Sequence, residues 1–215
     1  MLLICQILQT GLKSIDVISK YNPKIYMNYL VFDIETTEGV GPGELTDMDI
    51  SVVSIYNSKD KSMESFLVED FGRMWKLFEQ TDIIVGYNID HFDIPILNKY
   101  YSGDLTQIKS IDILTSIKDS FGRRVKLDDV AKATLGTNKT SHGLQAVEWW
   151  KEGKIKEIIE YCEADVRITR DVFEFAKENG FLKLKDFTGE IVRIPIDTSS
   201  WEEKDDGNMT FSMGF

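Results

Sequence analysis

The seven residues Tyr29-Leu30-Val31-Phe32-Asp33-Ile34-Glu35 constrain the fold more than any other stretch, because they are apolar on both alternating faces except for two carboxylates. Such a strand belongs at the centre of a sheet that is covered on both sides. Successive strand side chains point to opposite faces, so Asp33 and Glu35 share one face while Phe32 and Ile34 share the other. Asp33 and Glu35 form a carboxylate pair. Taken alone, an Asp-x-Glu on a strand is a weak signal, since a strand end that reaches solvent reads the same way.

Around this strand the chain reads as α/β. Residues 50–56 and 62–68 are expected strands joined through Asn57-Ser58-Lys59-Asp60, a hairpin. Residues 71–80 have helical spacing, 82–87 read as a buried strand, and Pro95 opens a helix carrying Leu97 and Tyr100. A short strand is expected over 111–114. From Lys126 onward the pattern is helical, with segments over 127–135, 144–151 and 154–179 that end at or near Gly136, Gly153 and Gly180. The expected order is strands first and helices last.

At 215 residues one core is the default, and a chain of this length buries roughly 70% of its unfolded surface. The expected domain runs over 27–200. Residues 1–26 fit the plan poorly, so Met27 is the expected true start, with an extra helix packed on the domain as the alternative. Residues 201–215 hold the acidic cluster Glu202-Glu203-Lys204-Asp205-Asp206 and read as a fraying tail. No stretch approaches the ~20 apolar residues that span a bilayer, and the first eight residues lack the basic leader of an export signal, so no membrane partner is expected. Cys5 and Cys162 are too few for a disulfide framework or a thiolate zinc site, which suits a reducing cytoplasm. With 36 acidic against 25 basic residues, the net charge of −11 argues against a broad basic nucleic-acid surface. That objection weakens if several carboxylates bind metal and a substrate is gripped only at its end.

Three further positions carry chemistry. Asp93 follows Gly86-Tyr87-Asn88-Ile89-Asp90-His91-Phe92 and sits near a helix start, where aspartate often caps; capping and metal ligation can coexist there. His91 is left out, because hard cations prefer oxygen ligands. In the last helix Ile155, Ile158, Ile159, Cys162, Val166, Thr169 and Phe173 form an apolar stripe, and Glu157, Glu160, Glu163 and Glu174 fall opposite it. Asp165 does not: it lies on the apolar flank with Tyr161, Ile168 and Val172. A carboxylate so placed needs a cation or strong donors. Tyr161, four residues earlier, projects beside it, either as a core aromatic or as a partner in the chemistry. Arg123, Arg124, Lys126, Lys132 and Lys139 form a basic concentration beside Trp149 and Trp150; it reads as a solvated surface, or as a phosphate and base contact if it borders the site.

Together, Phe32-Asp33-Ile34-Glu35-Thr36-Thr37, Asn88-x-x-x-Phe92-Asp93-x-Pro95 and Tyr161-x-x-x-Asp165 resemble the three exonuclease motifs of the DEDD superfamily, in its tyrosine branch. The segment 126–182 looks like a prokaryotic subgroup of predicted exonucleases, some of which sit beside helicases. The first two motifs also look like the proofreading domain of family B DNA polymerases. The resemblance covers roughly 28–196 and implies an RNase H-like mixed β-sheet flanked by helices. It implies 3′-to-5′ hydrolysis of single-stranded DNA or RNA with two divalent cations, Mg2+ or Mn2+. Asp33, Glu35, Asp93 and Asp165 would be the ligands and Tyr161 would position the water. By the same analogy Asn88 and Phe92 contact the terminal nucleotide, Thr36 and Thr37 line the pocket beside its sugar, and a helicase or polymerase is the expected partner. Two other readings stay open: an endonuclease that cuts RNA in hybrids, which the tyrosine motif disfavours, and an idle nucleic-acid-binding or adaptor module, which would be expected to have lost a carboxylate.

Overall fold

The computed structural model describes residues 27–39, 41, 43–137 and 144–201; the expected extension over 1–26, Lys139, and the acidic tail beyond Trp201 lie outside them. Five strands form the main sheet: β1 (Tyr29–Thr36), β2 (Ile50–Asn57), β3 (Ser62–Phe66), β4 (Ile83–Gly86) and β5 (Lys109–Asp112). Their order is β3-β2-β1-β4-β5, which puts β1 at the centre as its two-sided apolar pattern requires. β1 runs antiparallel to β2 and parallel to β4, and β4 is parallel to β5, so the sheet is mixed.

The period-2 alternation of β1 divides the core. Leu30, Phe32 and Ile34 pack with Phe71, Met74 and Phe78 of helix α1 (Phe71–Phe78) and with Ile94, Ile96 and Leu97 of the short helix α2 (Asp93–Leu97). Tyr29 and Val31 face the other way, onto Val166, Val172, Phe173 and Ala176. Those residues belong to the long helix α6 (Ile155–Asn179), which is preceded by α3 (Ile113–Phe121), α4 (Leu127–Leu135) and α5 (Leu144–Lys151). Side chains buried as fully as Phe32 and Phe78 contribute about 1.5–3 kcal/mol each, so both faces hold the sheet. The α6 stripe is buried at Ile158, Cys162, Val166, Thr169 and Phe173, and the helix ends at Gly180, whose φ of +70° only glycine adopts cheaply. Among the described residues no helix is long and apolar enough to cross a membrane.

Three expectations are corrected. The chain is already helical at Ile113 rather than extended over 111–114, because the Asp112 carboxylate accepts the amides of Leu114 (2.9 Å) and Thr115 (3.3 Å) and caps α3. Helix α2 stops at Leu97, so Tyr100 lies in the turns beyond it, with its ring edge-on to Phe71 and its hydroxyl donating to Asp49. Helices are not last: β6 (Phe181–Lys185) and β7 (Ile191–Pro195) form a closing hairpin. Its turn is organised by the Asp186 carboxylate, which accepts from the amides of Thr188 and Glu190. Thr134 of α4 clamps β6 by accepting from the Lys183 amide (2.9 Å) and donating to its carbonyl (3.2 Å). Trp201 is buried and stacked on Phe173 at 5.2 Å.

Gly86, at the end of β4, is where the backbone comes closest to its surroundings: a Cβ there would lie 2.1 Å from Ile89 Cγ2 and 3.2 Å from the Phe32 carbonyl oxygen. Gly86→Ala is therefore expected to cost roughly 1–3 kcal/mol of stability. Urea denaturation measures it; an unchanged midpoint would show that the loop after β4 yields without penalty.

Candidate active site

The pairing of β1 with β4 runs from Tyr29↔Ile83 to Val31↔Val85 and then stops, whereas β1 continues along β2 to Thr36. Beyond Val31 the edge of β1 that had faced β4 meets instead Asp93, at the end of the loop that follows β4. This crevice at the carboxyl ends of two parallel strands, where the chain direction reverses across β1, is where open α/β sheets place ligands.

Asp33 and Glu35 enter it from β1 on the side covered by α6. Asp33 is half-buried and Glu35 is 9% exposed. One donor atom from each lies within 4.8 Å of the other and of Cys162 Sγ. The thiol of Cys162 points at the Asp33 carbonyl oxygen (3.4 Å) and at its Oδ2 (3.8 Å). Burial, then the charges of Asp33, Glu35 and Asp165, push the Cys162 thiol well above its usual range, against a lowering contact with Ser54. It is therefore a protonated donor in the metal-free protein at neutral pH, beside the two carboxylate ligands of the pocket. Two carboxylates within 4.8 Å of each other repel by at least about 3 kcal/mol at an effective dielectric of ~20, an arrangement that favours a hard divalent cation. The donor set fits such an ion.

Asp93 approaches from the other side of the crevice. Its carboxylate accepts from the Ile34 amide at 3.2 Å, between Asp33 and Glu35 along β1, rather than capping α2, whose cap residue is Phe92. Burial pushes the Asp93 carboxyl up to about 7, opposed by the amides of Ile34 and of Asp93 itself and reinforced by the charge of Asp112. Asp165 is 7% exposed, one turn of α6 beyond Cys162, close enough for its charge to raise that thiol. Among the described residues the tight group is Asp33, Glu35 and Cys162; Asp93 and Asp165 border it without joining it within 4.8 Å. Tyr161 is 7% exposed, packed with Val52, Ala146, Ile158 and Cys162, and its ring meets Trp149 of α5 edge-on at 6.1 Å.

The residues expected around the nucleotide are spread along the same rim. Asn88 is half-buried with φ +71°, and its Oδ1 accepts from the Arg124 guanidinium. Phe92 is half-buried against the α1/α2 core. The Thr36 hydroxyl donates to the Glu38 carbonyl (2.6 Å), and the half-buried Thr37 donates its amide to the Asp49 carbonyl (2.8 Å). His91 is exposed.

Two contributors were missed from the sequence. Asp112 accepts from the amides of Asn88 (2.8 Å) and Asp90 (3.2 Å), so one carboxylate both starts α3 and shapes the loop leading to Asp93. An aspartate closing an apolar strand before a helical pattern was the available signal. Cys162 could be read only as part of the stripe, because its contact with Asp33 is made between segments far apart in the chain.

A family model described as the RNase_H superfamily matches residues 30–176, which take in every residue of the crevice. A DNA polymerase of Archaeoglobus fulgidus is 27% identical over 203 residues, covering 80% of this chain and 25% of the polymerase. The solved structure of the family B DNA polymerase from the hyperthermophilic archaeon Pyrobaculum calidifontis superposes with a TM-score of 0.56 at 22% identity, over 70% of this chain and 24% of that one. The chain thus spans about a quarter of each polymerase, and the superposition speaks for the fold.

The Asp93 carboxyl sets a pH dependence. Its folded value lies above that of the unfolded chain, so between the two the folded state binds the extra proton; the stabilisation is complete at the acid end and is lost as pH rises through about 7. In chelator, stability is expected to fall by on the order of a few kcal/mol from pH 4 to pH 8, and Asp93→Asn should flatten that slope. Urea midpoints across this range decide; identical slopes in both proteins would remove Asp93 as the cause.

Proposed function

The chain belongs to the RNase_H superfamily, and we propose that it is a metal-dependent 3′-to-5′ exonuclease acting on the 3′ end of single-stranded DNA or RNA. One observation carries the reading: three segments far apart in sequence, β1, the loop after β4 and α6, converge on the stretch Asp33–Glu35, through Asp93 on the Ile34 amide and Cys162 on Asp33. The similarity to a DNA polymerase supports it and makes a polymerase the expected partner, with a helicase the alternative that the sequence motifs suggest. The exonuclease domain of this reading runs over 27–200.

Asp33, Glu35, Asp93 and Asp165 would hold two divalent cations, magnesium or manganese, which when bound supply hydroxide near neutral pH and neutralise charge on the attacking and leaving oxygens. The remaining work falls to the chain's own groups. Tyr161, pinned by Trp149 and Cys162, directs its hydroxyl at the attacking water from the same helix face as Asp165. The Cys162 thiol steadies Asp33 without competing as a ligand. Asn88, fastened by Arg124 and by Asp112, contacts the terminal nucleotide together with Phe92, and Thr36 and Thr37 line the wall beside its sugar. Burial of Glu35, Asp93 and Asp165 excludes bulk water, which strengthens each charge interaction in the crevice.

Single strands labelled at the 5′ end and incubated with manganese should give ladders shortening from the 3′ end. Internal cuts would indicate an endonuclease, and no cleavage an idle binding module. Asp165→Ala should lower the rate at least about a thousandfold, some 4 kcal/mol of barrier, with the fold kept; more than a tenth of the activity remaining would remove Asp165 from the site. Tyr161→Phe deletes only the hydroxyl, so kcat should fall with KM little changed, and an unchanged kcat would make Tyr161 a packing residue.

A readout independent of cleavage is the melting temperature. Saturating magnesium or manganese binds only the folded carboxylates and should raise it. Asp33→Asn relieves like-charge repulsion and should raise the melting temperature in chelator while blunting the response to metal. If metal leaves both proteins unchanged, the four carboxylates do not form one binding cluster.

A further inference from the structure

We infer that a basic groove between α4 and the β6–β7 hairpin carries the single-stranded nucleic acid lying 5′ of the terminal nucleotide; where that terminus sits rests on the nuclease reading above. The groove has a volume of about 860 Å³ and is lined by Arg123, Arg124, Lys126, Lys132 and Lys185, with Phe187 at its rim. Against these five cations stand Asp129 and Asp186, and Asp186 is engaged by its own turn, accepting from the Thr188 and Glu190 amides. In a chain of net charge −11 such a local excess runs against the overall balance. Among the described residues Lys126, Lys132 and Lys185 form no ion pair, so their charge is directed at solvent.

The groove is tied to the rim of the crevice through its lining residues Arg124 and Val125. The Arg124 guanidinium donates to Asn88 Oδ1, and the Tyr87 hydroxyl donates to the Val125 carbonyl at 2.7 Å, so the segment over 123–126 is fastened to the loop that ends at Asp93. A nucleotide held at Asn88 would thus lie beside Arg124, which lines the groove. The two walls keep their spacing through Thr134, which both donates to and accepts from the backbone of Lys183. Phe187 is 99% exposed at the hairpin tip, a costly place for a phenyl ring unless it has a face to offer. Cations that track a backbone beside an aromatic on which a base can stack are the usual means of binding single strands without sequence preference. A narrow basic track also answers the charge objection, since only the few phosphates beyond the end need be neutralised.

The test is fluorescence anisotropy of 5′-labelled thymidine oligonucleotides of about 3 and about 15 nucleotides, in chelator so that nothing is cleaved. Wild type should bind the longer strand about tenfold or more tightly than the shorter. Lys126→Ala, Lys132→Ala and Lys185→Ala combined should abolish that gain and make the log–log salt slope shallower by roughly 2, about 0.7 per lost phosphate contact. Removing equal charge elsewhere, by Lys59→Ala, Lys61→Ala and Lys76→Ala combined, should leave the gain intact. Phe187→Ala alone should weaken the longer strand about fivefold or more, and it carries the test if the triple variant does not fold. The inference is overturned if wild type shows no gain with length, if the groove variant keeps it, if the distant set loses as much, or if polyglutamate competes as well as the oligonucleotide. Should the groove behave as expected while manganese gives no shortening from the 3′ end, the groove stands and the exonuclease reading falls.

Discussion

The hydrogen bond from the Ile34 amide to the Asp93 carboxylate, at 3.2 Å, is the fastening on which the crevice depends. Past Val31 the central strand has parted from β4, and an amide buried there without a partner would cost about 1–3 kcal/mol. Filling that position with a carboxylate rather than a carbonyl solves the backbone problem and delivers a charge-bearing group beside Asp33 and Glu35 in the same stroke. Because β1 has an antiparallel neighbour on one side and a parallel one on the other, this parting is the switch point of the sheet, and there is no comparable opening between β1 and β2.

Asp112 repeats the device one strand further out. Its carboxylate takes two amides of the 87–92 loop and two of helix α3, so the loop's shape and the helix's start are set by one side chain. Its charge also helps hold the Asp93 carboxyl up, so the scaffold contributes to the strain of the site as well as to its shape. Acidic groups that build the crevice therefore make the metal-free protein less stable near neutral pH, a common trade at charged sites. Helix α6 answers from across the crevice with a neutral donor: a buried thiol can approach Asp33 and add no further negative charge.

Much of the architecture was written in local pattern. β1 and β2, the hairpin to β3, and helices α1, α4, α5 and α6 lie close to where alternation and 3.6-residue periodicity put them, because each buries a face wide enough to show. Three features escaped for separate reasons. Strand β5 and helix α3 share one apolar run, and only the capping geometry of Asp112 divides them. Tyr100 continues the helical spacing of α2 although the helix has ended, since an aromatic can reach Phe71 from a turn as well as from a helix. The closing hairpin did alternate, Leu182 and Leu184 buried against exposed Lys185, yet its length is short and it packs on α4, some 49 positions earlier in the chain.

The sequence by itself determined the candidate carboxylates. Asp33 and Glu35 interrupt an otherwise apolar strand, and Asp165 sits where the helix period leaves no room for a solvated charge, so each was visible as a violation of a local rule. What only the tertiary structure decided is how those violations meet. The contact of Asp93 with a strand amide 59 positions away, the thiol of Cys162 on Asp33, 129 positions away, and the joining of Arg124 to Asn88 are long-range pairings that no periodicity encodes. They arise because the sheet opens on one side of β1 and α6 crosses that face, so the unsatisfied groups of separate segments find their partners in one another.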